Sequence, residues 1–331
     1  MRALTYSICL LVMLVAIGSA AWRWIDFQQP QSLAWGKSYF PDVDLLSHDG
    51  RRLRFYDDLI EGKVVLINFI FTSCGDTCPL ETARLRQVQK LLGDQVGRDI
   101  HFYSISIDPI HDTPEVLKAY AEKFQVAPGW LFLTGDYAEI NALRESLGLL
   151  AQSDDPTNLQ QHNLSLIIGN QSTGQWMKVS PFENPYMLAD KLSNSLQNWR
   201  RAPSSDQDYA NAPAIRPPSQ GEQIFRTRCS ACHTLGAQPG ELSALRSIGP
   251  DLLGVTQQRD HVWLARWIKE PDRVLAEGDP LAIRLFEQYN QVPMPNLRLA
   301  DPDVNALVGY LEAETDRLQG AQSGRSGGSV D

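Results

Sequence analysis

The stretch that decides the fold reads Asn68-Phe69-Ile70-Phe71-Thr72-Ser73-Cys74-Gly75-Asp76-Thr77-Cys78-Pro79. It continues an apolar run from Val64 to Phe71 that reads as a buried strand. Pro79 then opens a helical pattern in which Leu80, Ala83, Val88, Leu91 and Leu92 lie close to one stripe. Two thiols therefore stand at a strand-to-helix turn, where the positive end of the helix dipole favours thiolate over thiol. Thiolates so placed exchange with disulfides or bind a soft metal. The spacing C-x-x-x-C is one residue wider than the usual C-x-x-C redox pair, a first pointer towards metal.

The surroundings extend this unit from Trp35 to Trp199. Ile100–Asp108 reads as a strand, and Thr113-Pro114-Glu115 as the capped start of a helix. Leu131–Thr134 reads as a short strand, followed by a helix capped by Asp136 with Glu139 three residues on. Leu164–Gly169 and Trp176–Val179 read as two strands joined by a turn, and Pro185–Trp199 as a last helix. The order predicts an α/β thioredoxin-like domain over residues 35–199. Residues 200–219 are rich in proline, alanine and small polar residues without periodicity, and read as a linker. Beyond it the strand pattern disappears. Helices are expected near 220–228, 260–269, 280–289 and 302–317, so residues 220–317 form an all-α domain, with 318–331 a disordered tail.

With 331 residues the chain is long enough for two domains, and a formal net charge of −9 argues against nucleic acid as a partner. Leu4–Trp22 is 19 residues without a charge, preceded by Arg2 and containing small residues at Gly18 and Ala20. Residues 1–22 therefore read as a signal peptide or an uncleaved membrane anchor. Either places the rest in the periplasm or on the outer face of the cytoplasmic membrane. The remaining cysteines form two close pairs, Cys74/Cys78 and Cys229/Cys232. A bridge across so short a loop constrains almost nothing, so these pairs read as chemistry rather than staples.

Cys229-Ser230-Ala231-Cys232-His233 is a haem attachment sequence: two thiols for the vinyl groups and a histidine for the iron. Zinc would need a further protein ligand, and only His261 stands near in sequence. Met294 is the only methionine after His233. It lies in Val292-Pro293-Met294-Pro295-Asn296, where flanking prolines hold the sulfur in place, and it is the candidate sixth ligand. Residues 220–317 resemble a class I cytochrome c. Gly221 and Phe225 match its first helix, Ile248-Gly249-Pro250-Asp251-Leu252 the loop over the proximal histidine, and Val304, Leu307, Val308, Tyr310 and Leu311 its last helix. The resemblance implies one covalent haem c with His233 and Met294 as axial ligands, in an electron carrier of fairly high potential.

A copper ion on Cys74 and Cys78 needs a third ligand, with His48, His101, His111 and His162 as candidates before the linker. In a thioredoxin-like fold the loop before the strand at Leu164 lies beside the thiol turn, which makes His162 the best placed; His111 stays possible. Residues 35–199 resemble the Sco/SenC copper-chaperone family. The matching stretches are Phe71–Pro79, Ser106–Leu117 with Asp108 and Pro114, Gly129–Gly135, and His162 before Leu164–Gly169. The resemblance implies copper, as Cu(I) or Cu(II), on Cys74, Cys78 and His162, and a role in maturing the copper centre of cytochrome oxidase. Two departures stand out: Gly75 where the family usually has proline, and Gln161-His162-Asn163 where it commonly has Asp-His-Ser or Asp-His-Thr. Asp76 is retained.

The first reading is an exported copper-binding redox protein, closer to a metallochaperone and electron carrier than to an enzyme. It serves the copper subunit of a respiratory oxidase or another exported copper or thiol protein, with haem as electron partner. The alternatives are a thiol–disulfide oxidoreductase in which Cys74 and Cys78 cycle without copper, and a plain cytochrome c docked through the first domain. The 18 linker residues from Arg201 to Pro218 would span roughly 25 Å as a flexible chain. Tethering on that scale predicts frequent encounter of the domains without a strong interface.

Overall fold

The computed structural model describes residues 36–37, 39–75, 77–151, 153–198, 217–236 and 247–326. The N-terminal segment 1–22 and nearly all of the linker 200–219 lie outside them. Among the described residues no helix is long and apolar enough to cross a membrane.

The first domain is built on a seven-stranded sheet of order β2-β1-β5-β4-β3-β6-β7. The strands are β1 (Asp44–Ser47), β2 (Arg52–Arg54), β3 (Val64–Ile70), β4 (Ile100–Ser106), β5 (Trp130–Gly135), β6 (Leu166–Asn170) and β7 (Gln175–Val179). β3 pairs parallel with β4 and β4 with β5, while β6 and β7 add antiparallel at one edge and β1 and β2 at the other. β3 is buried at every position. Its side chains alternate between two cores, Val64, Leu66 and Ile70 on one face and Val65, Ile67 and Phe69 on the other. Burial on both faces is why it reads as an unbroken apolar run.

Helices α1 (Thr77–Leu92), α2 (Pro114–Lys123) and α3 (Tyr137–Ser146) follow β3, β4 and β5 in turn. Thr113 caps α2 and Asp136 caps α3 through side-chain oxygens, as their sequence signals require. The last helix, α4, starts at Pro185–Asp190 and continues through a wider π-type turn to Asn198. β1 and β2 carry no signal the sequence reading caught. They are 4 and 3 residues long, too short for a period to register.

The second domain is helical. It comprises α5 (Gln220–Ile224, extended by a π-type turn through Cys229), α6 (Val255–Gln258), α7 (His261–Lys269), α8 (Pro271–Ala276), α9 (Pro280–Gln288) and α10 (Asp301–Ser326). α5 crosses α10 so closely that a Cβ on Gly221 would lie 2.0 Å from the Ala306 carbonyl oxygen. One expectation is corrected: α10 runs on to Ser326, so residues 318–326 of the supposed tail are helical. Leu318, Gln319, Ala321 and Gln322 are good helix formers, and Gly320 and Gly324 each cost only about 1 kcal/mol.

The domains are packed together, which corrects the expectation of a loose tether. Polar Arg84, Arg86 and Gln89 of α1 are buried along with its apolar stripe. Arg86 and Gln89 bond Gln125 and Ala127 of the first domain. Arg84 instead donates to the carbonyl oxygens of Arg226 and Thr227 at 2.8 and 2.5 Å, and Gln87 to that of Ser230 at 2.8 Å. Ala231 and Ile248 of the second domain join the apolar core beneath α1.

Candidate functional site

Parallel pairing of β3 with β4 brings the loops after both strands to one sheet edge. There the buried carboxylate of Asp112 accepts from Thr72 N at 3.1 Å, Thr72 Oγ1 at 2.5 Å and Ser106 Oγ at 2.5 Å. This pins the start of the thiol turn. The sequence reading missed Asp112; the available signal was a carboxylate in the loop after the strand parallel to β3.

Cys74 and Cys78 are free thiols, both buried. They lie within hydrogen-bonding reach of each other, and that bond together with burial pushes Cys78 far above the ordinary thiol range. The expectation that the helix end favours thiolate is overturned at Cys78. A helix terminus is worth about 0.3–1 kcal/mol, less than the bond to Cys74 and burial together, since burial alone shifts a pKa by up to about 3–5, at roughly 1.4 kcal/mol each.

His162 precedes β6, and its ring packs edge-on to Phe71 with centroids 5.6 Å apart. Nδ1 donates to the Leu159 carbonyl oxygen at 2.7 Å, which leaves the lone pair on Nε2. Nε2 is buried and has no hydrogen-bond partner. Burial holds the imidazole below its usual pKa, against weaker opposing effects of the Leu159 and Phe69 carbonyls and Cys74. His162 and Cys74 line one cleft of about 550 Å³, whose far wall is Thr227, Arg228 and Asn296–Arg298 of the second domain. Among the described residues no three His, Cys, Asp or Glu side chains are drawn into a ready-made ligand cluster. The donor set still fits a soft metal: two thiols and an imidazole nitrogen that nothing else engages.

The other histidines are placed elsewhere. His111 is exposed, with Nδ1 2.8 Å from Asp108. His101 stacks on Tyr103 along β4. His48 is half-buried, and its Nδ1 accepts from the Phe132 backbone amide at 3.1 Å.

Glu81, one turn beyond Cys78, was also missed. It is fully buried, receives a 2.8 Å bond from Asn68 Nδ2, and leaves Oε2 unpartnered. Asn68 accepts in turn from Ser104, and Ser104 from the Trp130 indole. Burial raises Glu81 to about 8. A carboxylate inside an apolar helix stripe was the readable signal.

In the second domain Cys229 and Cys232 are free thiols held by burial near 12. His233 donates from Nδ1 to the Pro250 carbonyl oxygen at 2.9 Å, which frees Nε2 for a metal. A Cβ on Gly249 would lie 2.6 Å from the His233 ring, so only glycine lets the loop pass over it. Cys232, His233 and Met294 line one cavity of about 290 Å³ whose walls include Leu285, Phe286 and Val292. Two thiols, a pre-oriented imidazole, a thioether and apolar walls fit a covalent haem with His and Met axial ligands.

Comparison with known proteins agrees with both halves. The SCO1/SenC profile matches residues 36–197 and the cytochrome c profile residues 218–314. A SCO2-like protein of Rickettsia felis is 32% identical over 127 residues, which is 37% of this chain and 60% of that protein. The chain thus spans less than two thirds of the length of such relatives. The cytochrome c domain of a Pseudomonas putida protein is 65% identical, covering 30% of this chain and 91% of that one, with a TM-score of 0.27. The copper-bound structure of Bradyrhizobium japonicum ScoI is 25% identical, covering 45% and 94%, with a TM-score of 0.38. The chain is a fusion, with a thioredoxin-like domain that belongs to the SCO1/SenC family and, after it, a domain that belongs to the cytochrome c family.

Proposed function

We propose that this is an exported copper-handling redox protein. Cys74, Cys78 and His162 take copper as cargo, to deliver it to, or keep reduced, the copper centre of a respiratory oxidase. Cys229 and Cys232 bind the haem, His233 and Met294 ligate its iron, and N-terminal residues engage the membrane. The observation that carries the copper reading is His162: its Nε2 is buried, unpartnered, and shares a cleft with Cys74. A buried nitrogen without a partner is costly, and a metal ion repays that cost in a way no protein group here does. The haem supplies one-electron chemistry at high potential. The protein's own part is to keep Nε2 of His162 and of His233 available by engaging each Nδ1 with a carbonyl, and to enclose the haem site in largely apolar walls.

Metal analysis of the purified chain, with optical spectra before and after reduction, tests this directly. One copper for each haem is the expected result. Haem without copper, even after reconstitution with Cu(I), would remove copper from the function.

The mutual contact of Cys74 and Cys78 supports a second reading as a thiol–disulfide oxidoreductase. A dithiol closing to a disulfide releases two protons and two electrons, whereas a haem accepts one electron. That mismatch favours copper, which exchanges one.

A further inference from the structure

Gly75 is the family departure that neither the fold nor the copper ligands explain. Its φ is not among the positive values that glycine alone tolerates, so its backbone does not demand glycine. A Cβ built on it meets no protein atom within 4 Å, so packing does not require glycine either. Yet Gly75 lines the cavity formed by Cys232, His233 and Met294, across the domain boundary from them. The space beside it is reserved for whatever fills that cavity.

We propose that Gly75 is the seat of the haem edge on the copper-site turn, and that Arg84 and Gln87 are the positioning residues that hold the haem domain there. The inference rests on the reading that the cavity holds haem, and it does not depend on copper. Arg84 and Gln87 lie three apart on one face of α1, the helix that begins within two residues of Gly75 and carries Cys78. Their acceptors, the carbonyl oxygens of Arg226, Thr227 and Ser230, flank Cys229. These oxygens close the helical segment that begins with α5, where a cation complements the negative end of the dipole. One rigid helix thereby fixes the distance from the thiol turn to the haem-bearing segment. A proline or any branched side chain at position 75 would enter the haem's space, which accounts for the glycine.

The test uses the full holo-chain, isotope-labelled, with Cys74 and Cys78 replaced by serine so that only the haem changes oxidation state. Amide NMR spectra are compared for paramagnetic ferric and diamagnetic ferrous haem. Gly75 and the first turn of α1 should show large oxidation-dependent shifts that fade towards Leu92. Arg84→Ala with Gln87→Ala should collapse those shifts to the level of residues remote from the cavity. Gly75→Val should reduce them and displace the haem-methyl resonances, with Gly75→Ala intermediate. An optical spectrum with His and Met ligation but no shifts at residues 74–80 would overturn the docking. Shifts that survive loss of Arg84 and Gln87 would overturn their positioning role, and haem-methyl resonances unmoved by Gly75→Val would overturn the seat. A chain without covalent haem would refute the underlying reading, and the inference with it.

Discussion

Replacing Glu81 with glutamine should change how the stability of the first domain depends on pH. In the folded chain the carboxyl keeps its proton up to about 8, because burial between α1 and the sheet penalises the charge, while its ordinary value is 4.5. Below 4.5 the folded and unfolded states are both protonated, and the group contributes no pH dependence. Between the two values the unfolded chain releases the proton and the folded one holds it, so each step of one pH unit upward lowers stability by about 1.4 kcal/mol. Above about 8 both states are ionised and the loss levels off, having reached about 5 kcal/mol. Glutamine keeps the acceptor for Asn68 and removes the titration. The assay is denaturant unfolding of the metal-free holo-chain, followed by tryptophan fluorescence from pH 5 to pH 8. Groups common to both proteins cancel in the difference. The advantage of Glu81→Gln should grow steadily with pH, by about 4 kcal/mol over that range. A difference that stays flat would show that Glu81 is already ionised in the fold, and the reasoning from burial would fail.

His162→Ala should weaken Cu(I) binding by more than the roughly 10- to 100-fold that loss of a supporting residue costs, with circular dichroism unchanged. His111→Ala should leave the affinity in place, and the reverse outcome in a competition titration would reassign the third ligand. Met294→Leu should retain the covalent haem but open the sixth position, seen as a changed Soret spectrum and a lowered potential; an unaltered spectrum removes Met294 from the iron. Gly221→Ala must push α5 off α10, and should cost the haem domain about 3 kcal/mol in denaturant unfolding followed by Soret absorbance. An unchanged midpoint would mean that the crossing relaxes freely.

The central strands, the capped helices α2 and α3 and the two cysteine pairs could be read along the chain, because each rests on local patterns. A seven-residue apolar strand, a proline after a capping threonine and a C-x-x-C-H pentapeptide all announce themselves within a few positions. Asp112, Glu81 and Arg84 did not. Their roles depend on parallel strand pairing, on burial beneath a helix and on contact between domains, none of which leaves a periodic trace. At Cys78 the modest local field of the helix end is outweighed by the bond to Cys74 and by burial, both of which only the folded chain brings about. The short β1 and β2 likewise depend on what the rest of the fold provides.

Arg84 and Gln87 address main-chain oxygens of Arg226, Thr227 and Ser230, not their side chains. Carbonyls at the end of a helix are the same whatever sequence builds it. The polar part of the match is therefore written on one partner alone, while Ala231 and Ile248 of the other supply its apolar part. Substitutions at positions 226, 227 and 230 can accumulate without erasing the match. A foreign haem domain with the same attachment helix could be grafted after the linker and still find its berth. Only the apolar contacts of Ala231 and Ile248 then remain to be matched side chain by side chain when two such domains are joined.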